Sequence, residues 1–385
     1  MSQSAGSAPT PLFARALRGS AITAGGYALS QALRLGSNLI LARLLFPEAF
    51  GLMALVTVVL VGLQMFSDVG LGPAISRSKR GDDPDFLNTA WTLAVARGAI
   101  LCLLASALAW PLAAFYRAPD LQTLLPVAAL ALLIGGFNPT RIDTANRHLL
   151  LGRVTLLDLA SQAIGIAAMV VLAWAYGSVW ALVAGSVIGA VVKLCLMMAL
   201  LPGPANRFRL EPVAARELVH FGKWILLSTV CGFLLAQGDR LILGAYLSLD
   251  QLGIYNIGYF LASFPWLLGG AVAMRVMIPL YRDDPPGTKA ANAPRLRRLR
   301  MGMTGVLMGL LVALALAGDA LIGLLYDPRY ADAGPILVLV ACVQIPAVLG
   351  MTYDQSALAA GDSRRFFFLL LAKAVVQTSA FLIGA

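Results

Sequence analysis

Charge is what this sequence has least of. Asp, Glu, Lys and Arg make up 12% of its 385 residues, while 59% are hydrophobic, and ordinary soluble domains carry roughly 25% charged residues. That balance excludes a cytosolic globule and places the chain in a bilayer, as does the mean hydropathy of +0.81. Histidine is nearly missing. His148 and His220 each lack a second His or a carboxylate at metal-ligand spacing, so both read as solvated loop residues and no metal site is expected. The four cysteines, Cys102, Cys195, Cys231 and Cys342, sit in apolar runs without C-x-x-C spacing, which excludes a disulfide framework and reads as small packing residues. There is no G-x-x-x-x-G-K-[ST], no H-E-x-x-H and no G-x-S-x-G. No ATP site, cofactor or enzyme is therefore expected, and any work must draw on a gradient or a downhill substrate. A cleavable signal peptide is not evident either, since no A-x-A-like site follows a short apolar core.

What is present is a series of helix-length apolar runs. A spanning helix needs about 20 mostly apolar residues. That rule predicts helices at roughly 19–42, 50–72, 90–114, 121–140, 154–175, 178–201, 223–246, 254–280, 301–325, 335–358 and 366–385, eleven in all. The net charge of +10 would point to nucleic acid in a soluble protein. Here the cations lie in short loops, so no nucleic-acid partner is expected and the charge reads as topology. With the N-terminus cytoplasmic, about 20 Lys and Arg fall in inner segments, among them Arg77, Arg141, Arg147, Arg209 and Arg300. Only Arg43, Arg117 and Arg329 fall in outer ones, and inverting the chain would reverse the bias at every loop.

The chain also repeats itself. SNLILARLLFPEAFGLM (37–53) lies over DRLILGAYLSLDQLGIY (239–255) at an offset of about 202 residues. Leu39-Ile40-Leu41 matches Leu241-Ile242-Leu243, Glu48 matches Asp250, and Gly51 matches Gly253. FYRAPDLQTLLPVAALALL (115–133) likewise resembles LYDPRYADAGPILVLVACV (325–343). Six helices per copy make the repeat parallel. The expected organisation is an N-terminal six-helix bundle at 1–201, a cytoplasmic linker at 202–222 and an incomplete C-terminal bundle at 223–385, with function between the halves. A twelfth helix would complete the pattern, so the chain reads as a truncated version of a longer protein.

A charge at helix-centre depth costs about 2.5–3.5 kcal/mol, so each one needs a reason. Arg34 lies past the middle of the first helix, with Gln31 and Asn38 on the same face at i−3 and i+4. At the matching depth of the second copy stand Gln237, Asp239 and Arg240. Two readings are open: an ion pair that locks the seventh helix to the first, or a hydrophilic cavity whose arginines face an anionic substrate. Arg suits phosphate because its planar fork donates two hydrogen bonds and stays protonated. Arg97, Lys193 and Arg275 are weaker candidates, near enough to the inner face to snorkel. Asp68, the other intramembrane acid, is placed to cap its helix or pair with Arg77, and Lys373 stands in the last, incomplete helix.

ARLLFPEAFGLMALV, FSDVGLGPAISR, TAWTLAVARG, GDRLILGAYLSLDQLGIYNIGY and LYDPRYADAGPILVL together resemble the bacterial Wzx-type polysaccharide flippases, within the superfamily that also contains the multidrug/cation antiporters of the MATE type. The resemblance covers nearly the whole chain. It implies an all-α polytopic inner-membrane protein of two six-helix bundles around a central cavity, working by alternating access. The implied cargo is an undecaprenyl-pyrophosphate-linked oligosaccharide for exopolysaccharide, capsule or lipopolysaccharide synthesis. The implied partners are membrane lipids and the polymerase and assembly proteins of that pathway. Three alternatives stand beside it: a cation-coupled drug antiporter using Asp239, a membrane enzyme of polysaccharide assembly, and a non-transporting partner in a biosynthetic complex.

Overall fold

The computed structural model describes residues 11–68, 70–148, 150–222, 226–273, 293–351 and 363–384. All regular structure among them is helical. The chain divides into two compact units, one built from Met1–Leu44 with Val59–Leu227 and the other from Leu45–Val58 with Ser228–Ala385.

In the first unit α1 (Pro11–Leu44), α2 (Pro47–Phe66), α4 (Pro84–Phe115), α5 (Leu121–Gly136), α7 (Leu151–Tyr176) and α8 (Trp180–Leu200) are the long apolar rods. Three shorter helices join them: α3 (Leu71–Arg77), α6 (Arg141–Arg147) and α9 (Pro212–Gly222). Helices α4 and α5, α7 and α8, α1 and α7, and α5 and α8 pack side by side. Small residues let the rods approach closely, as expected where lipid supplies no hydrophobic drive between helices. A Cβ on Gly98 of α4 would stand 2.8 Å from the Leu132 carbonyl oxygen, and one on Gly136 of α5 2.7 Å from that of Ala94. Asp83 caps α4 by accepting the Asp85 N–H at 3.0 Å, with Pro84 at the first helical position.

The second unit holds α10 (Leu226–Tyr246), α11 (Leu249–Ala262), α12 (Phe264–Val272), α13 (Ala293–Leu325), α14 (Ala333–Val343) and α15 (Ser363–Gly384). A capping box of Ser248 and Gln251 opens α11. Helix α14 packs on both α11 and α13, and α12 packs on α13. The first turns of α2 belong to this unit, held by the fully buried Tyr330, whose hydroxyl donates to the Leu45 carbonyl at 2.9 Å while its ring meets Phe50 edge-on. Here the two copies of the repeat touch. A Cβ on Gly51 would meet the Leu249 carbonyl, and one on Gly253 would meet the Pro47 carbonyl. Since 47 corresponds to 249 and 51 to 253, the contact is reciprocal, the signature of a local two-fold relation.

The structure redraws several helix limits. The run 50–72 ends at Phe66. Gly70 is left-handed (φ 63°) and donates its N–H to Asp68 Oδ1 at 2.9 Å, and α3 then starts afresh. The run 121–140 is two helices, α5 and α6, bent by 56°. The run 254–280 breaks between α11 and α12, where Pro265 takes an early position of the new helix; its last residues lie outside the described ones. The run 335–358 is helical as far as Met351. The linker 202–222 is ordered in its second half as α9, which buries Ala214 and Leu218 against α3 and α4. Six helices among the described residues are apolar and long enough to cross a membrane, and the bent pair α5–α6 makes up to seven. Helices α1 and α10, which carry the polar residues discussed below, are not among them.

Candidate functional site

Helix α1 presents its polar residues in two ways. Gln31 is buried and donates to the Tyr27 hydroxyl at 2.8 Å, a contact one turn along the same helix. Arg34 is exposed, and among the described residues its guanidinium has no hydrogen-bond or ion-pair partner. Asn38 is half-buried. Nearby, Ser30 donates to Gln162 Oε1 at 2.6 Å and accepts from its Nε2 through the backbone at 3.1 Å, which ties α1 to α7.

Helix α10 treats its polar residues differently. Asp239 is 2% exposed and accepts the Tyr255 hydroxyl at 2.8 Å. Arg240 donates from Nε to Asn256 Oδ1 at 3.0 Å and from Nη1 to Gln237 Oε1 at 3.2 Å, and it lies 4.3 Å above the Tyr259 ring. Its Nη1 is 4.0 Å from Asp239 Oδ1. Gln237, Asp239 and Arg240 therefore form one enclosed cluster with α11. Within this unit the cluster joins α10 to α11, because Tyr255 donates its hydroxyl to Asp239, Asn256 supplies an acceptor for Arg240 and Tyr259 a ring face.

The weaker cationic candidates are paired too. Arg97 of α4 donates to Ser67 Oγ and to the Gln64 carbonyl, both at 2.9 Å, and its Nη1 lies 3.5 Å from Asp68 Oδ1. Asp68 thus answers to Arg97 and to the Gly70 amide, a local cap just past the end of α2. These residues border a cavity of about 510 Å³ whose lining includes Gln64, Asp68, Arg97 and Asn138. Lys193 of α8 lies 2.8 Å from Asp158 Oδ1 on α7. Neither cation needs to reach the headgroups, as snorkelling would require, because each has a carboxylate at hand. Asp158 escaped the sequence reading, although its spacing to Ser161 and Gln162 marks a polar face on α7. Lys373 Nζ would stand 3.3 Å from a Cβ on Gly350, and Arg275 lies outside the described residues. Of the cysteines, Cys231 alone is buried; Cys195 and Cys342 are exposed, so packing does not explain them.

One end of the first unit carries a polar belt. Arg80 bridges Asp83 and Glu211, with its Nη2 2.7 Å from Glu211 Oε2. Arg141 caps α8 by donating to the Met198 and Leu201 carbonyls, both at 3.0 Å. Arg147 does the same for α3, reaching the Ser78 carbonyl at 2.7 Å, and holds Asp82 at 3.1 Å. His148 lies 2.9 Å from Asp82 Oδ1, so it is a paired residue and not a freely solvated one. The hydrogen bond from His148 holds the Asp82 carboxyl below the usual range, as that from Arg80 does for Asp83. The segment before α9 is fastened to α4 at every second residue. The Arg207, Arg209 and Glu211 amides donate to Asn88 Oδ1, Thr92 Oγ1 and Thr89 Oγ1 at 2.8, 3.0 and 3.0 Å.

Residues 40–335 match the model of a family described as polysaccharide biosynthesis protein. The chain belongs to this family. Among relatives of this polysaccharide biosynthesis protein, the succinoglycan biosynthesis transport protein ExoT of Rhizobium meliloti is 26% identical over 90% of this chain and 69% of its own length. The teichuronic acid biosynthesis protein TuaB of Bacillus subtilis is 24% identical over 79% of this chain and 63% of its own. The lipopolysaccharide biosynthesis protein WzxC of Escherichia coli is 21% identical over 81% and 63%. The fold is similar to that of the lipid II flippase MurJ in an inward closed conformation, with TM-score 0.71 and 11% identity over 92% of this chain and 79% of the other. It also resembles an inward-facing MATE family multidrug transporter, with TM-score 0.61 and 14% identity over 90% and 84%. This member of the family is therefore an all-α polytopic membrane protein, and the expected resemblance to Wzx-type flippases holds.

Proposed function

We propose that this protein is a flippase that carries undecaprenyl-pyrophosphate-linked oligosaccharide units from the inner to the outer leaflet of the bacterial inner membrane by alternating access. One observation carries the reading: Arg34, a charged side chain two thirds of the way along α1 that is exposed and has no partner among the described residues. A cation at that depth cannot face lipid without a cost of about 2.5–3.5 kcal/mol or more, so it faces water and whatever the water-filled path carries. Its fork matches the adjacent phosphate oxygens of a pyrophosphate. Family membership, the relative ExoT, a succinoglycan biosynthesis transport protein, and the fold likeness to a lipid II flippase support the same cargo class. In this reading the N-terminus is cytoplasmic, and the polar belt around Arg80, Arg141 and Arg147 lies at the cytoplasmic face. Gln31 and Asn38 shape the surroundings of Arg34, and the enclosed trio Gln237, Asp239 and Arg240 keeps α10 and α11 in register.

A cation-coupled drug antiporter would need Asp239 to take up a proton or ion. Its carboxylate is already enclosed by Tyr255 and Arg240, which disfavours that role. The deciding experiment deletes the gene and follows lipid-linked oligosaccharide on the inner leaflet, with complementation by wild type and by Arg34→Ala. Accumulation reversed by wild type and not by Arg34→Ala is expected. Unchanged lipid-linked intermediates and unchanged surface polysaccharide would refute the proposal.

A further inference from the structure

The cavity of about 510 Å³ between the end of α2, the first half of α4 and the end of α5 has a chemistry of its own, and the geometry points to a binding site for the neutral sugar residues of the cargo. Its volume is within the range of about 300–1,000 Å³ usual for small-molecule pockets. The polar groups on its wall are mixed in kind. Gln64 offers an amide, Arg97 a guanidinium already fixed by Ser67 and the Gln64 carbonyl, and Asp68 a half-exposed carboxylate. Asn138 adds a buried Oδ1 with no hydrogen-bond partner among the described residues, an arrangement that costs about 1–3 kcal/mol unless something supplies a donor.

Charge decides what that something is. Arg97 and Asp68 face each other at 3.5 Å and cancel, so the wall has no net charge, and a phosphate entering beside Arg97 would meet the Asp68 carboxylate. A polyol meets no such penalty, because each hydroxyl both donates and accepts. The backbone of Gly136 closes against α4 behind the polar groups, and Leu101 and Leu132 give an aliphatic wall for the C–H face of a sugar ring. The wall is preorganised for this purpose. Arg97 is fixed by hydrogen bonds independent of any ligand, so binding orders little that is not already ordered. This assignment rests on the flippase reading, and it divides recognition between Arg34 for the pyrophosphate and the cavity for the sugar.

The test uses the purified full chain in lipid nanodiscs and saturation-transfer NMR. The probe is a neutral, phosphate-free oligosaccharide released by mild hydrolysis from the host's surface polymer, and inorganic pyrophosphate is the competitor. Saturation of the sugar-ring protons is expected in wild type, with pyrophosphate having no effect. Asn138→Leu and the exposed Gln64→Ala should each weaken it about fivefold, the loss expected from one hydrogen bond. Asp68→Asn should leave Arg97 unbalanced and make the sugar signal sensitive to pyrophosphate. The assignment is overturned by no transfer in wild type, by an unchanged signal in Asn138→Leu and Gln64→Ala, or by competition from pyrophosphate in wild type. Sugar binding in a chain whose deletion leaves the leaflet distribution unchanged supports the pocket and removes the transport reading. Wild-type flipping with no sugar signal removes the pocket alone.

Discussion

The two copies of the repeat handle a cation at membrane depth in opposite ways. Helix α1 leaves Arg34 exposed and, among the described residues, without a side-chain partner, while α10 encloses Arg240 with Asn256, Gln237 and the Tyr259 ring. The surroundings of Arg240 are not repeated in the first copy. At the common offset, Tyr255, Asn256 and Tyr259 of α11 correspond to Met53, Ala54 and Thr57 of α2. The second copy supplies an acceptor, a hydroxyl and a ring face where the first supplies a thioether, a methyl group and a short β-branched side chain. The lesson is that intramembrane arginines must be judged with the neighbouring helix as well as their own.

The contrast can be broken first at Asp239. Asp239→Ala leaves Arg240 and Tyr255 enclosed without their carboxylate, and should cost about 3 kcal/mol or more of stability, measured as loss of the folded fraction on thermal unfolding in detergent. An undisturbed melting curve would mean the cluster is not cohesive. Arg34→Ala should do the reverse: a melting temperature near wild type, with the rate of lipid-linked oligosaccharide translocation in proteoliposomes reduced on the order of tenfold or more, and Arg34→Lys intermediate because it keeps the charge and loses the fork. Gly51→Ala and Gly253→Ala sharpen the comparison by striking the place where the copies meet. Each forces a methyl group onto a backbone carbonyl and should cost about 1–3 kcal/mol by overpacking, with closely similar values from both if the contact is two-fold. Asn256→Ala, which brings the second copy towards the Ala54 of the first, should cost about 1–2 kcal/mol. The smallest effect is expected outside the helices. Because Asp82 is held below its ordinary value, its pairing with His148 and Arg147 stabilises the fold above about pH 4 and is lost as pH falls through the folded-state value. The difference in melting temperature between wild type and Asp82→Asn should therefore shrink on acidification from pH 6 to pH 3.

Much of this was legible in the sequence. Apolar runs marked most of the long helices, because lipid-facing helices advertise themselves by composition. The offset of 202 residues matched Gly51 to Gly253, but that the two positions meet came only from the structure. Breaks were harder. Nothing in the hydropathy of 121–140 announced the 56° bend before α6, and the interruption at Ser263 has Pro265 as its only local signal. Ion pairs were the least visible, since Asp68–Arg97 and Asp158–Lys193 join residues of different elements and depend on which rods become neighbours. The family was recognisable from scattered short matches, several of them at helix ends and caps such as the Ser248 box. The cavity beside Asn138 was invisible, being defined by the packing of three elements.

The stretch before α9 has a further consequence. By composition, with its Pro, Arg and polar residues, it is where a protease would be expected to enter, but cleavage needs several consecutive residues to leave their surroundings and lie extended in another protein's cleft. Amides anchored at 207, 209 and 211, with Glu211 clamped by Arg80, must all let go together before Arg207 or Arg209 can be cut. The connection between the repeats is thus protected by the same alternate-residue spacing that makes it extended, and nicking there would report the peeling of this segment from α4.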